Sequence, residues 1–437
     1  MTRRSAARPS KATARLALAL GLWWIWAAQA AAAEVETFET LSALVKAQGK
    51  RIEELEARLR AGQATPWSSQ PPAPPQHLAA APPPLPPLPT AKVRGRLQAD
   101  ALLIHEGEGS TPTGTQLRRF YLGVEGRLSE RTRFLAEADF AGGRVNLQEV
   151  LLAYRPTDRM ELIVGHQQTP NSLDAVTSDL TLVFLERSAF ATAFTPSKRV
   201  GASAHLWGER WGLRAGLFGE TDDAAQDGVR SEAWSANARA STDLLAGDDA
   251  LHVGVSAYYA EPGPTTPFRI TQRPETNRAP AVLDTGAFAA GRGAFVGGEI
   301  GYGAGPLTVQ AEGGFLDFAG ATRTPRFHGY SAQAAWRLTG EPRPYDARSG
   351  VFGRVTPRRP IDAGGRGAFE VGLRASYVDL TDAAVAGGAL TTYGVAINWY
   401  PLARVRLGAN LIHARTATAA RGDSEQTLMA VRAQADW

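Results

Sequence analysis

From Lys92 to the end of the chain, apolar and polar residues alternate with a period of two. In 116–128, Phe120, Leu122, Val124 and Leu128 alternate with Arg119, Tyr121, Glu125 and Arg127. In 133–140, Phe134, Ala136, Ala138 and Phe140 alternate with Arg133, Glu137 and Asp139. In 368–377, Phe369, Val371, Leu373, Ala375 and Tyr377 alternate with Glu370, Gly372, Arg374 and Ser376, and Tyr393, Val395, Ile397 and Trp399 repeat the scheme. Side chains of a β-strand point alternately to its two faces, so each segment reads as a strand with one apolar and one charged or small face. The pattern predicts 16 strands: 92–104, 116–128, 131–141, 146–156, 159–167, 199–208, 211–220, 232–242, 250–259, 294–303, 306–316, 327–338, 367–379, 391–400, 404–413 and 426–437.

Such strands can bury their apolar faces against one another in a sandwich, or turn them to lipid around a wet lumen. Arginine and glutamate stand in mid-strand on the polar face, which suits a lumen. Apolar faces often end in an aromatic residue, as at Tyr154, Tyr259, Tyr302, Trp336, Tyr377 and Trp399, which suits an interfacial girdle. The chain closes with Met429, Val431, Ala433, Ala435 and Trp437 alternating with Leu428, Ala430, Arg432, Gln434 and Asp436. The expected fold is all-β, a 16-stranded antiparallel transmembrane β-barrel over residues 90–437. An even strand count returns both ends of the barrel to one side, the periplasmic side for an exported chain.

Upstream the period changes. Over 34–60, Phe38, Val45, Ile52 and Leu59 take one heptad position and Leu41, Gln48 and Leu55 another, predicting a short periplasmic coiled-coil helix. Residues 61–89 are proline-rich and predict an extended linker. Residues 1–33 have a basic start, an apolar stretch from Leu16 to Ala28 and small residues after it, the three parts of a secretory signal peptide.

Charge changes the picture by its location. The 437 residues sum to a net +4, yet 1–89 hold 10 Lys+Arg against 6 Glu, leaving 37 charges of each sign in the barrel region. A basic face for nucleic acid is therefore not expected. Only Lys92 and Lys198 of the lysines lie in that region, so its cations are almost all arginine. Without cysteine there is no disulfide or thiolate site, and the seven histidines are scattered, with no G-x-S-x-G, no H-E-x-x-H and no metal spacing. Neither enzyme chemistry, nor a metal, nor a cofactor is expected.

Most even-numbered connections are short turns. The twelfth is long: past Arg337, the stretch Trp336–Gly367 carries Arg343, Arg348, Arg354, Arg358, Arg359 and Arg366 against Glu341, Asp346 and Asp362, an excess of three positive charges. Connections 169–198 and 261–292 are long as well.

At these residues the chain resembles the phosphate-selective porin O/P family of outer-membrane channels. The resemblance covers roughly 90–437 and rests on R-R-F-Y-L-G-V-E-G-R-L (118–128), L-T-L-V-F-L-E-R-S (180–188), A-F-T-P-S-K-R-V-G (193–201) and above all L-T-G-E-P-R-P-Y-D…G-V-F-G-R-V-T-P (338–357). It implies a homotrimeric porin in the outer membrane of a Gram-negative bacterium. It also implies a pore narrowed by two external loops and one periplasmic connection, with arginines leading to a basic zone for phosphate or related anions. Family phosphate sites lean on lysine too, and here the loop cluster Arg187, Lys198 and Arg199 is offset by Asp174, Asp179 and Glu186.

The expected function is passive diffusion of small anions. The candidate path residues are the six arginines of the twelfth connection, with Arg187, Lys198 and Arg199 and, on the wall, Arg119, Arg127, Arg133 and Arg374. Guanidinium groups bind oxyanions bidentately, and charges act strongly in a narrow passage. The other wall arginines on the polar faces, Arg214, Arg239, Arg337, Arg406 and Arg432, serve equally well as partners for wall glutamates. The alternatives are a general small-solute porin, or a barrel anchor whose helix tethers a partner.

Overall fold

A computed structural model describes residues 89–437 apart from 106–112, 220–233, 246, 263–266, 321–323, 384 and 419–421. The expected signal peptide and coiled-coil helix, and all but the end of the linker, lie outside the described residues. The first strands are β1 (Thr90–His105), β2 (Thr113–Arg127), β3 (Thr132–Asp139), β4 (Asn146–Thr157) and β5 (Met160–Gln168). After a long connection come β6 (Lys198–Trp207), β7 (Trp211–Gly219), β8 (Trp234–Asp243) and β9 (Ala250–Glu261). The short pair β10 (Thr271–Gln272) and β11 (Leu283–Asp284) lies in the next connection. Then follow β12 (Arg292–Ala304), β13 (Leu307–Ala319), β14 (Arg326–Arg337) and a second short pair, β15 (Tyr345–Asp346) and β16 (Val351–Phe352). The last four are β17 (Ala368–Asp382), β18 (Val385–Leu402), β19 (Val405–Thr418) and β20 (Gly422–Asp436).

Apart from the two short pairs, the strands form one closed antiparallel barrel of sixteen. It closes where β1 pairs with β20, from Arg96 opposite Asp436 to His105 opposite Thr427. Closure leaves no strand edge, so every spanning strand finds backbone partners on both sides. The alternation read from sequence is the wall itself: Met429, Val431 and Trp437 face out, while Leu428, Arg432 and Gln434 are buried inside.

Two irregularities re-aim wall residues. The pairing of β1 with β2 shifts between Gln98 and Ala99, and that of β3 with β4 between Ala136 and Ala138. Such bulges set two residues opposite one. Leu117 and Phe120 both stay on the outer face, and Arg118 and Arg119 between them both reach partners inside the barrel. Leu147 and Val150 are likewise exposed outside, with Gln148 and Glu149 between them lining the lumen.

The lumen is unevenly filled. Connection 169–197, which includes the short helices Leu173–Val176 and Ala189–Phe194, folds inward. Each helix is capped by the serine before it: Ser172 Oγ accepts from the Ala175 amide and Ser188 Oγ from Ala191. The connection holding β10 and β11 folds in beside it. Together they bury Phe190, Phe194, Phe268 and Phe288 against inward-facing Phe295, Phe318 and Phe327 of the wall. Phe288 and Phe318 meet edge to face at 4.9 Å. This apolar core occupies the loop end of the lumen along β9, β12–β14, β17–β20 and the end of β1.

Candidate functional site

What remains open lies along β1–β7. Two cavities, of about 300 and 460 Å3, share Arg119, Tyr121, Gln148, Gln168, Arg187 and Ser197 on their walls. Their inner boundary is connection 169–197, held from the opposite side by wall arginines. Arg406 donates to the carbonyls of Leu182 (2.6 Å) and Val183 (2.8 Å), Arg432 to Leu185 (2.5 Å), and Arg374 to Glu186 (3.0 Å). Asn398 also donates to Val183 at 2.8 Å, and Gln434 to Leu180 at 3.2 Å. Buried backbone carbonyls need donors, and forked guanidiniums on β17, β19 and β20 supply them.

Two acidic side chains of the same segment complete the clamp. Asp179 pairs with Arg96 and, at 2.9 Å, with Arg119. Glu186 takes a bidentate contact from Arg118 at 2.8 and 3.0 Å and another from Arg432 at 2.6 Å. Burial works to raise the Asp179 carboxyl, but Arg119 and Arg96 outweigh it and hold it far below the ordinary carboxylate range. Glu186 is lowered in the same way: its burial is outweighed by Arg118 and Arg432. Glu275, in the second inward connection, accepts from the Ala189 amide at 2.9 Å, from Ser376 at 2.5 Å and from Thr392 at 3.0 Å, and pairs with Arg374. The two inward connections are thus fastened to each other and to the wall.

At the end of the barrel where β1 begins and β20 stops, the twelfth connection also enters the lumen. Its β15–β16 pair is received by four wall strands, β6, β8, β9 and β12. Arg239 donates to the Ser349 and Gly350 carbonyls at 2.9 and 2.8 Å, and His205 Nε2 donates to the Arg348 carbonyl at 2.9 Å. His252 lies between Glu299 (3.0 Å from Nε2) and the Tyr345 hydroxyl (2.6 Å from Nδ1). Glu299 accepts from the Nε2–H, and Nδ1 and the Tyr345 hydroxyl share the second hydrogen bond. Phe352 is buried over Gly301 and Gly303 of β12, where an added Cβ would come within 2.7 and 2.6 Å of its ring. Only glycine leaves room for that ring.

The candidate residues therefore separate by environment. Arg119 and Arg374 are buried in the clamp, and Arg343 is buried against Glu370 at 3.3 Å. Arg133 is bidentate to Glu161 at 3.0 and 2.7 Å, beside Arg155 at 3.3 Å from the same carboxylate. Arg348 stacks on Trp207, 3.5 Å from the ring centroid, with Arg155 also over that ring at 6.0 Å. Arg354 is bidentate to Asp436 of β20 at 2.8 and 2.9 Å. Arg127, Arg358, Arg359 and Arg366 are exposed and line neither cavity, and Arg199, next to Lys198 in sequence, is buried and lines neither.

Arg187, Lys198 and Arg214 differ from all of these. All three line the larger cavity, and none makes an ion pair among the described residues. Arg187 donates to the carbonyls of Asp174 (3.0 Å) and Thr177 (2.8 Å), Lys198 to Gln148 (2.7 Å) and Arg214 to Gln167 (2.7 Å). Neutral acceptors orient these cations, and no carboxylate among the described residues reaches ion-pair distance of them, although Glu137, Glu149 and Asp179 face the same cavity. Arg118, Arg96, Arg155 and Gln148 were not among the candidates. The Arg118-Arg119 doublet between Leu117 and Phe120 was the visible sign of the bulge that brings Arg118 inward.

Residues 91–437 match the family described as phosphate-selective porin O and P. An uncharacterized protein of Caulobacter vibrioides is 30% identical over 334 residues, covering 73% of this chain and 67% of its own length. Among solved structures, the fold is similar to OprB of Pseudomonas putida (TM-score 0.54, 8% identity, 79% of this chain and 94% of that one). It is also similar to outer-membrane expressed OmpT of Vibrio cholerae (TM-score 0.52, 11% identity, 80% and 98%). An anion-selective porin from Comamonas acidovorans aligns with TM-score 0.50 and 12% identity over 80% and 100% of the two chains.

Proposed function

Since the chain belongs to the phosphate-selective porin O and P family, we propose that this outer-membrane porin gives passive diffusion of small anions, phosphate and related oxyanions among them, along the arginine-lined side of its lumen. The observation that carries this reading is the trio Arg187, Lys198 and Arg214, three cations on one cavity with no paired carboxylate. Paired charges largely cancel at a distance, whereas an unpaired cation in a narrow passage favours anions and opposes cations. Further cations flank the trio. Arg133, Arg155 and Arg348 crowd around Glu161 and Trp207 toward the end where β1 begins, and Arg118 and Arg119 stand on the other side. Several modest sites in series allow an anion to move on rather than remain bound. A homotrimer fits this reading, since OmpT of Vibrio cholerae, similar in fold, has a form described as a trimer.

The test is the reversal potential in planar bilayers under a KCl gradient. The wild-type channel is expected to prefer chloride and to be blocked by millimolar phosphate. Arg187→Gln together with Arg214→Gln should lower the preference, and Arg358→Gln with Arg359→Gln should shift it less. Cation preference in the wild type, without phosphate block, would sink the proposal.

A further inference from the structure

The same passage carries information on the shape of its solute. We infer that it is built for hydroxylated aliphatic organic anions of the sugar-acid kind, an inference that rests on the anion reading above and narrows it. The first observation is size. The two connected cavities measure about 300 and 460 Å3, whereas a tetrahedral oxyanion displaces roughly two waters, ~60 Å3. The space suits a solute several times larger.

The second observation is the chemistry of the shared walls. Gln148, Gln168 and Ser197 face both cavities. The Gln148 Oε1 accepts from Lys198 at 2.7 Å and from Tyr121 at 2.9 Å, which leaves its Nε2 without a partner among the described residues. The side chains of Gln168 and Ser197 make no hydrogen bond among the described residues. Amides and hydroxyls both donate and accept, so they match solute hydroxyl groups, which a purely cationic lining does not. Gln148 itself holds Lys198, placing a carboxylate-binding charge beside a hydroxyl-binding amide.

The third observation excludes the competing classes. Tyr121 is the one aromatic side chain on either wall among the described residues; it is itself buried, with Arg96 4.7 Å and Lys198 5.7 Å from its ring centroid. No free ring face remains for an aromatic solute to stack on. The apolar residues at the junction amount to small ones such as Ala175, so an alkyl tail finds no groove.

The experiment compares gluconate with hexanoate, two monoanions of similar length, in the full-length channel. Bi-ionic reversal potentials against chloride give each permeability, and a plain KCl gradient gives anion over cation preference separately. Gluconate is expected to permeate about fivefold better than hexanoate despite its larger hydrated bulk, the weight of roughly one net hydrogen bond. Gln148→Leu and, independently, Gln168→Leu should each bring the ratio toward one. An anion-preferring channel that passes hexanoate as well as gluconate overturns the inference while leaving the anion reading intact. Cation preference in the KCl gradient overturns both. The wild-type comparison stands alone if either variant fails to assemble.

Discussion

Asp179 offers the sharpest test of how charge is apportioned in this pore. It is the carboxylate that offsets Arg96 and Arg119, both on the wall of the larger cavity. That cavity presents six cations, Arg94, Arg96, Arg119, Arg187, Lys198 and Arg214, against Glu137, Glu149 and Asp179. Asp179→Asn keeps the shape and adds one unit of net positive charge. For an ion passing at ~6 Å through a medium of effective dielectric ~40, one unit charge is worth about 1.4 kcal/mol. Screening at ~0.1 M salt reduces this to about 0.8 kcal/mol. The anion gains that amount and the cation loses it, so the permeability ratio should rise about tenfold, read as a shift of the reversal potential. The inward segment should stay in place, because Arg406, Arg432 and Arg374 hold its carbonyls independently of Asp179. An unchanged or lowered anion preference at normal single-channel conductance would refute the assignment of Asp179 as the offsetting charge. A raised, noisy conductance would show instead that its main task is to fasten the segment.

Three further outcomes are expected. Gly303→Val would drive a side chain into the Phe352 ring, 2.6 Å from the first added carbon. Overpacking of this kind destabilises by ~1–3 kcal/mol, so thermal unfolding in detergent should come earlier and conductance should rise as the β15–β16 pair is displaced. Because Asp179 and Glu186 are held far below the ordinary carboxylate range, their contribution is present above that range and is lost only as pH falls through the lowered values. The constriction should therefore stay closed from neutral pH down through about pH 4, where ordinary carboxylates protonate, and an abrupt jump to an open-barrel conductance near that pH would contradict the clamp. Deleting residues 34–89 is expected to leave single-channel conductance and selectivity unchanged in bilayers, with any loss appearing in the heat-stability of the assembled protein on gels. Altered conductance would make that segment part of the channel.

The strands could be read from sequence because an outer wall in lipid and an inner wall in water impose a strict period of two. Predicted and observed ends agree within a few residues at almost every strand, for instance 146–156 against Asn146–Thr157. The bulges were missed because strict alternation was assumed, although the doublets Arg118-Arg119 and Gln148-Glu149 break it visibly. The dry half of the lumen left a trace too. Leu102 and Ile104, or Leu316 and Phe318, make the loop ends of their strands apolar on the inner face as well, which only an inward packing partner explains. Which arginine clamps and which stays unpaired was not legible. That depends on where carbonyls such as Leu182 and Leu185 come to rest, more than 200 residues away in sequence from Arg406 and Arg432. In the twelfth connection the basic run at 354–359 drew attention. The part that enters the lumen is Tyr345–Phe352, whose glycine and aromatic residues carry the packing.

The final strand has a role in time as well as in space. Arg432 grips Leu185 and Glu186, Gln434 reaches Leu180, and Asp436 receives Arg354. Two of the three inward connections are therefore anchored to the last strand of the barrel. Until β20 zips against β1, the constriction lacks these fastenings, and a half-assembled barrel is a wide leak in the envelope. Seam closure therefore also completes the fastening that Arg406 and Arg374 begin from the neighbouring wall.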